Sequence, residues 1–154
     1  MPDGLYDVDA LAWSEQQAGL LRRLAAGEGL NEAVDWVNVI EEIECVGRSE
    51  LRACAGLIRQ ALIHLLKLHA WPENTAAAHW RGETISFLVD ATDAFSPSMR
   101  NKIEMAVEYR RALHRVRAEG GDLDEPLLPA TCSLTLDDLL TDDPRIDALL
   151  AKLA

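Results

Sequence analysis

Asn38-Val-Ile-Glu-Glu-Ile-Glu-Cys-Val-Gly-Arg-Ser-Glu50, continuing to Ile63-His-Leu-Leu-Lys-Leu-His69, decides the fold class of this chain. At about 100° per residue counted from Ile40, the side chains of Ile43, Gly47, Leu51, Cys54, Ile58, Ala61, Leu62, Leu65 and Leu68 fall on one face. The period persists from Trp36 to about Ala70. It is too regular for strand alternation and predicts one long amphipathic helix. Carboxylates and histidines lie on or beside the apolar stripe. Glu44 falls roughly 20° from Leu51, His69 shares Leu51's angle and Glu50 lies beside Leu57, whereas Glu41 and Glu42 face outward. A carboxylate on a buried face has to be paired, hydrogen-bonded or protonated, because a lone buried charge costs several kcal/mol.

Two readings answer those carboxylates. In the structural one, Arg48 sits at i+4 from Glu44 and further donors come from neighbouring helices, with Trp13, Trp80 and Arg81 as candidates. The alternative is a metal-dependent or acid–base site built from Glu41, Glu44 and His64. Metal sites in helix bundles need inward carboxylates and a Glu-x-x-His pair on facing helices. Glu41 and Glu44 have the i, i+3 spacing, but no histidine follows either at three or four residues. His64 and His69 are five apart and diverge around the helix. The spacing therefore favours an architectural polar core comprising Trp13, Glu41, Glu44, Arg48, Glu50, His64, Trp80 and Arg81, with no metal or cofactor expected.

The order of motifs also carries a resemblance. Tyr6-Asp7-x-Asp9-x-x-x-Trp13-x-x-x-Gln17-Ala18-x-Leu20-Leu21-Arg22 is followed by Asn38-x-x-Glu41-Glu42-Ile43-Glu44-x-x-Gly47-Arg48-Ser49-Glu50. His64-Leu65-Leu66-Lys67, Trp80-Arg81-x-x-Thr84-Ile85 and Ser96-Pro97-Ser98 come next. Across nearly its whole length the chain resembles the bacterial domain-of-unknown-function family twenty-nine. It departs from that pattern at Val39, where leucine is usual, and at His79, where a serine usually precedes the Trp-Arg pair. The resemblance implies an all-helical fold and no established activity.

Composition agrees with a globular helical chain. The 154 residues suit a single all-helical domain over the whole chain, with a sizeable core. A hydrophobic content of 49% is ordinary, and a net charge of −11 favours solubility. The N-terminus lacks a basic region followed by an apolar stretch, so no signal peptide is expected. The best apolar run is interrupted by Arg59, His64 and Lys67, short of the roughly 18 residues of a membrane span. Three cysteines do not suggest a disulfide framework, and Cys45 and Cys54 lie on opposite sides of their helix. These features together place the protein in the cytoplasm, without a membrane partner.

Punctuation along the chain predicts a bundle of four main helices, with short C-terminal helices packed across it. The first runs from about Asp9 to Ala26 and stops at Gly27-Glu28-Gly29. The long second helix begins near Asn31 to Asp35 and ends at Trp71-Pro72. Within it Gly47 costs about 1 kcal/mol relative to alanine, which points to close packing or a bend. A third helix spans about Ala76 to Ala94. Ser96 as N-cap and Pro97 at the first helical position start a fourth, running to about Glu119 before Gly120-Gly121. In the leucine-rich tail, Thr135-Leu-Asp-Asp138 has a capping arrangement and Asp143-Pro144 opens a last helix to Leu153.

The fourth helix carries Arg100, Lys102, Arg110, Arg111, Arg115 and Arg117, whereas the tail from Glu119 to Asp147 is acidic. Glu104 and Glu108 interrupt the basic run and the overall charge opposes a phosphate-binding footprint, so nucleic acid is not expected as a partner. Gly120-Gly121 lacks a phosphate-loop context, the serines lack a nucleophile elbow, and there is no Cys-x-x-Cys or His-Glu-x-x-His. Enzyme activity thus has little support. The chain reads as a non-catalytic protein-interaction or self-associating module whose polar core sets helix register. An antitoxin-like partner of a basic protein is one version of that reading.

Overall fold

The computed structural model describes residues 5–27, 36–120 and 128–154. The described residues are all-helical, with no strand among them. The elements are α1 (Leu5–Val8), α2 (Ala10–Gly27), α3 (Trp36–Ala70), α4 (Ala77–Ala94), a 3-10 turn (Pro97–Met99), α5 (Met105–Glu119), α6 (Leu136–Leu139) and α7 (Ile146–Leu153). The four long helices and the two short C-terminal ones are those expected from the periodicity. The expected start of the long helix, between Asn31 and Asp35, lies outside the described residues, as does Gly121. No helix among the described residues is long and apolar enough to cross a membrane.

Two compact units divide the chain, and their boundary falls inside α3. The first comprises Met1–Ala53 and Ser96–Lys102. Here α2 buries Leu11, Ser14 and Ala18, an i, i+3, i+7 stripe with two small residues in it. Asp9 starts α2, because its Oδ1 accepts the Ala12 amide at 3.0 Å and so satisfies one of the helix's orphan donors. Close packing at Gly47, one of two expectations for that residue, is observed. A Cβ there would meet Ser14 Oγ, and Leu11 Cδ1 at 2.6 Å.

The same unit corrects the expectation of one uninterrupted fourth helix from Pro97. Pro97–Met99 makes a single 3-10 turn, and α5 starts only after Glu104, whose backbone is extended (φ −92°, ψ 103°). Ser96 has N-cap dihedrals and Pro97 follows at the first helical position, yet the Ser96 hydroxyl makes no capping bond. Instead Asp9 Oδ2 accepts the Ser98 amide at 2.7 Å. The turn is capped from another helix, and Met99 within it is buried.

The second unit comprises Cys54–Phe95 and Ile103–Ala154. Its part of α3 supplies Ile58, Leu62, Leu65 and Leu66 to a core completed by Leu88, Tyr109, Val116, Leu139 and Leu149. Each fully buried leucine contributes about 1.5–3 kcal/mol relative to exposure; Ile58, Leu62 and Leu65 belong to the stripe read from the sequence, and Leu66 is buried beside them. Trp71-Pro72 turns the chain into α4. The Cys54 thiol donates to the Ala91 carbonyl at 3.6 Å, while Lys67 Nζ lies 5.8 Å above the Trp80 ring, so α3 and α4 run antiparallel. Arg59 Nε lies 3.7 Å from Glu108 Oε2 and Lys67 Nζ 2.6 Å from Glu119 Oε2, so α3 and α5 run parallel. The expected Thr135–Asp138 capping box opens α6 with both reciprocal bonds, and α7 packs on α4, where Arg81 meets Asp147 at 2.8 Å.

Candidate functional site

In the first unit α2 and α3 place four charged side chains in a row. Glu44 on α3 is ion-paired with Arg22 of α2, and its other oxygen lies 3.7 Å from Arg48 NH1. Arg48 in turn pairs with Glu41. The expected i+4 arginine is therefore beside Glu44, and a second guanidinium comes from α2. Arg22 was not among the expected donors, although it closes the first of the motifs above. Its only signal in the sequence was the need of Glu44 for a partner.

The depth of this cluster differs from the expectation. Glu44 retains 27% of its side-chain exposure and Arg22 53%, so the row is a partly solvated seam and not a buried core. Glu50, expected on the buried side, is exposed. In this part of α3 the covered line runs through Gly47, the only buried residue between Val39 and Ala53, and Glu50 lies about 60° off that line. Exposed pairs of this kind contribute about 0.2–1 kcal/mol. Glu44→Ala is accordingly expected to lower stability by no more than about 1 kcal/mol in urea titrations, with the helical circular dichroism unchanged. A loss above about 3 kcal/mol would show that the seam is desolvated in solution.

The remaining expected site residues are distributed over both units. Trp13 is half-buried on α2 of the first. His64 belongs to the second, where its Nδ1 lies 2.8 Å from the Gln60 carbonyl and its ring stacks at a tilt on Phe87 at 5.4 Å. Trp80 lies under the Lys67 ammonium, and Arg81 is engaged with Asp147. Among the described residues, no group of three or more His, Cys, Asp or Glu side chains is arranged to hold a metal ion.

A second polar constellation escaped the sequence reading. Asp9 is 4% exposed and accepts three hydrogen bonds, from the Ala12 amide, the Ser98 amide and the Ser98 hydroxyl, at 3.0, 2.7 and 2.7 Å. Burial pushes its carboxyl up, but the Ala12 and Ser98 donors outweigh it and hold the group below the ordinary aspartate range. Asp9 and Ser98 are 89 residues apart, and each lies in one of the motifs that carry the family resemblance. The aspartate before an apolar helix was a legible cap signal. Its partner was not.

Elsewhere the basic run on α5 is partly neutralised. Glu108 is buried and paired with Arg59 and with Arg111 at 3.1 Å, while Arg115 reaches Glu119 at 2.6 Å. The buried Cys54 thiol is pushed up to about 11 by burial, consistent with a packing role.

The family described as "Domain of unknown function DUF29" matches residues 5–144. The crystal structure of an α-helical protein of unknown function from Rhodospirillum rubrum is similar at 32% identity over 97% of each chain, with a TM-score of 0.87. No curated protein matches the sequence.

Proposed function

The chain belongs to the DUF29 family, and on that premise we propose that it is a non-catalytic helical interaction module that associates with a second copy of itself. The observation that carries the reading is an apolar groove on α2. Leu20 and Leu24, one turn apart, are 42% and 43% exposed, and they line a groove of about 550 Å³ with Gln17, Leu21, Arg23 and Ala26. Val39 and Val46, two turns apart on α3 of the same unit, are exposed as well. Clustered exposed aliphatic groups with a polar rim are what interfaces present.

Charge supports a copy of the same chain as the occupant. Exposed Arg23 on α2 and exposed Glu42 and Glu50 on α3 give this unit both signs, the self-complementarity a two-fold interface requires. The carboxylates of the Asn38–Glu50 segment fit the reading too, since Glu44 of α3 is engaged by Arg22 of α2 and so links the two helices, while Glu41 pairs with Arg48 within α3.

Sedimentation velocity on the full chain between about 1 and 500 μM tests this, with a reversible dimer expected in that range. The double substitution Leu20→Arg, Leu24→Arg is expected to give a monomer with unchanged circular dichroism and melting temperature. A wild-type monomer at every concentration overturns the proposal. A dimer that survives both substitutions removes the α2 groove from it, and capture of a basic protein by monomeric chain would favour a different occupant.

A further inference from the structure

The parallel arrangement of α3 and α5 in the second unit has an electrostatic consequence. Parallel helices bring like ends together, and here those are the C-terminal ends, Ala70 with Trp71 and Glu119 with Gly120. Each helix leaves carbonyls of its last turn without intrahelical partners, equivalent to roughly half a negative charge. Between the two ends lies an open pocket of about 240 Å³ lined by Lys67, Trp71, Asn74, Trp80, Glu119 and Gly120. Its lining combines the Trp71 and Trp80 indoles and the Glu119 carboxylate with the Lys67 ammonium itself, where the two helices end. An aromatic face, a carboxylate and a helix C-terminus each favour a cation.

One cation already stands there. Lys67 Nζ is 2.6 Å from Glu119 Oε2 and 5.8 Å from the Trp80 ring centroid. The ammonium of Lys67 beside Glu119 holds that carboxyl below the usual range against a smaller push from burial, with Arg115 reinforcing it. The lysine thus shows that the surfaces around Glu119 and Trp80 accept an alkylammonium, and a ligand cation would take the place that Lys67 holds. We propose that this end of the second unit binds a small organic ammonium group, of the trimethylammonium or alkylammonium class, with Lys67 as the resident group it competes against. The residues differ from those of the α2 groove, so this proposal stands or falls apart from self-association.

The test is an NMR titration of the full chain with choline chloride, followed at the indole N–H resonances and matched by sodium chloride controls. Trp71→Phe and Trp80→Phe assign the two signals. Saturable shifts of Trp71 and Trp80 are expected with choline and not with sodium, with a dissociation constant in the millimolar range. Lys67→Met, which keeps the stem and removes the charge, is expected to tighten binding about tenfold, and Trp80→Leu in that background to abolish it. If neither indole shifts saturably up to about 100 mM choline in wild type or in Lys67→Met, the site does not exist. Binding that is not strengthened in Lys67→Met overturns the role of Lys67 as competitor.

Discussion

Gly47→Leu is expected to unfold the first unit or leave it without fixed packing, and Gly47→Ala to destabilise the protein by about 1–3 kcal/mol. Helix propensity alone makes the opposite forecast for alanine, a gain of about 1 kcal/mol at a mid-helix glycine. Geometry reverses the sign. The new methyl group would stand 2.6 Å from Leu11 Cδ1 and 3.4 Å from Leu11 Cα, and closer still to Ser14 Oγ. The leucine tip can turn away at some cost in packing. The Ser14 hydroxyl is fully buried and donates to the Leu11 carbonyl at 2.8 Å, so moving it breaks a buried hydrogen bond. A leucine side chain exceeds the room that any rotamer change provides, so α2 would have to lift off α3. Urea titrations of wild type, Gly47→Ala, Ser14→Ala and the Ser14→Ala, Gly47→Ala pair measure this. The pair is expected to recover part of the loss, since the two sites are in contact and couple. Gly47→Ala more stable than wild type would show that the helices do not approach so closely.

Asp9→Ala is expected to cost about 2–4 kcal/mol at neutral pH, because one residue both caps α2 and caps the Pro97–Met99 turn. Hydrogen bonds to a charged group contribute about 1.5–3 kcal/mol each, and the three here share one carboxylate and are not additive. Asp9→Asn keeps one acceptor oxygen and is expected to fall between wild type and alanine. Ser98→Ala, which removes only the hydroxyl donor, is expected to cost about 1 kcal/mol. The folded carboxyl lies below its ordinary value, so its contribution is present above the unfolded-state pKa and is lost as pH falls through the folded one. The gap between wild type and Asp9→Ala should therefore be full at pH 7 and shrink in acid. A gap that stays constant down to about pH 2 would mean that the carboxylate is not the acting form.

Both effects concern residues that the sequence marked without explaining. Gly47 was legible as an anomaly in a helical stripe, and close packing was one of two readings offered for it. Asp9 stood at a helix start, the ordinary place for a cap. Neither observation revealed Leu11 and Ser14, or Ser98, as the partners. The same division runs through the charged seam. Arg48 beside Glu44 followed from i, i+4 spacing, whereas Arg22 comes from another helix and Glu50 is exposed because α2 covers a narrower strip than the apolar stripe suggested. Likewise the Ser96-Pro97 start signal was real, but the helix it opens is a single 3-10 turn, whose Ser98 amide is capped by Asp9 from another helix.

Local physics, then, was written in the chain itself. Helical period, proline and glycine punctuation and the Thr135–Asp138 box depend on residues within a turn or two of each other, so they produced an all-helical chain with four long helices and two short ones at its end. The tertiary structure alone decided which carboxylates are answered and by whom, that α3 and α5 run parallel with their negative ends together, and that Gly47 is a close contact with α2. Those outcomes depend on side chains brought together from 22 to 89 residues apart, and the periodicity of one helix contains no information about the face that will cover it.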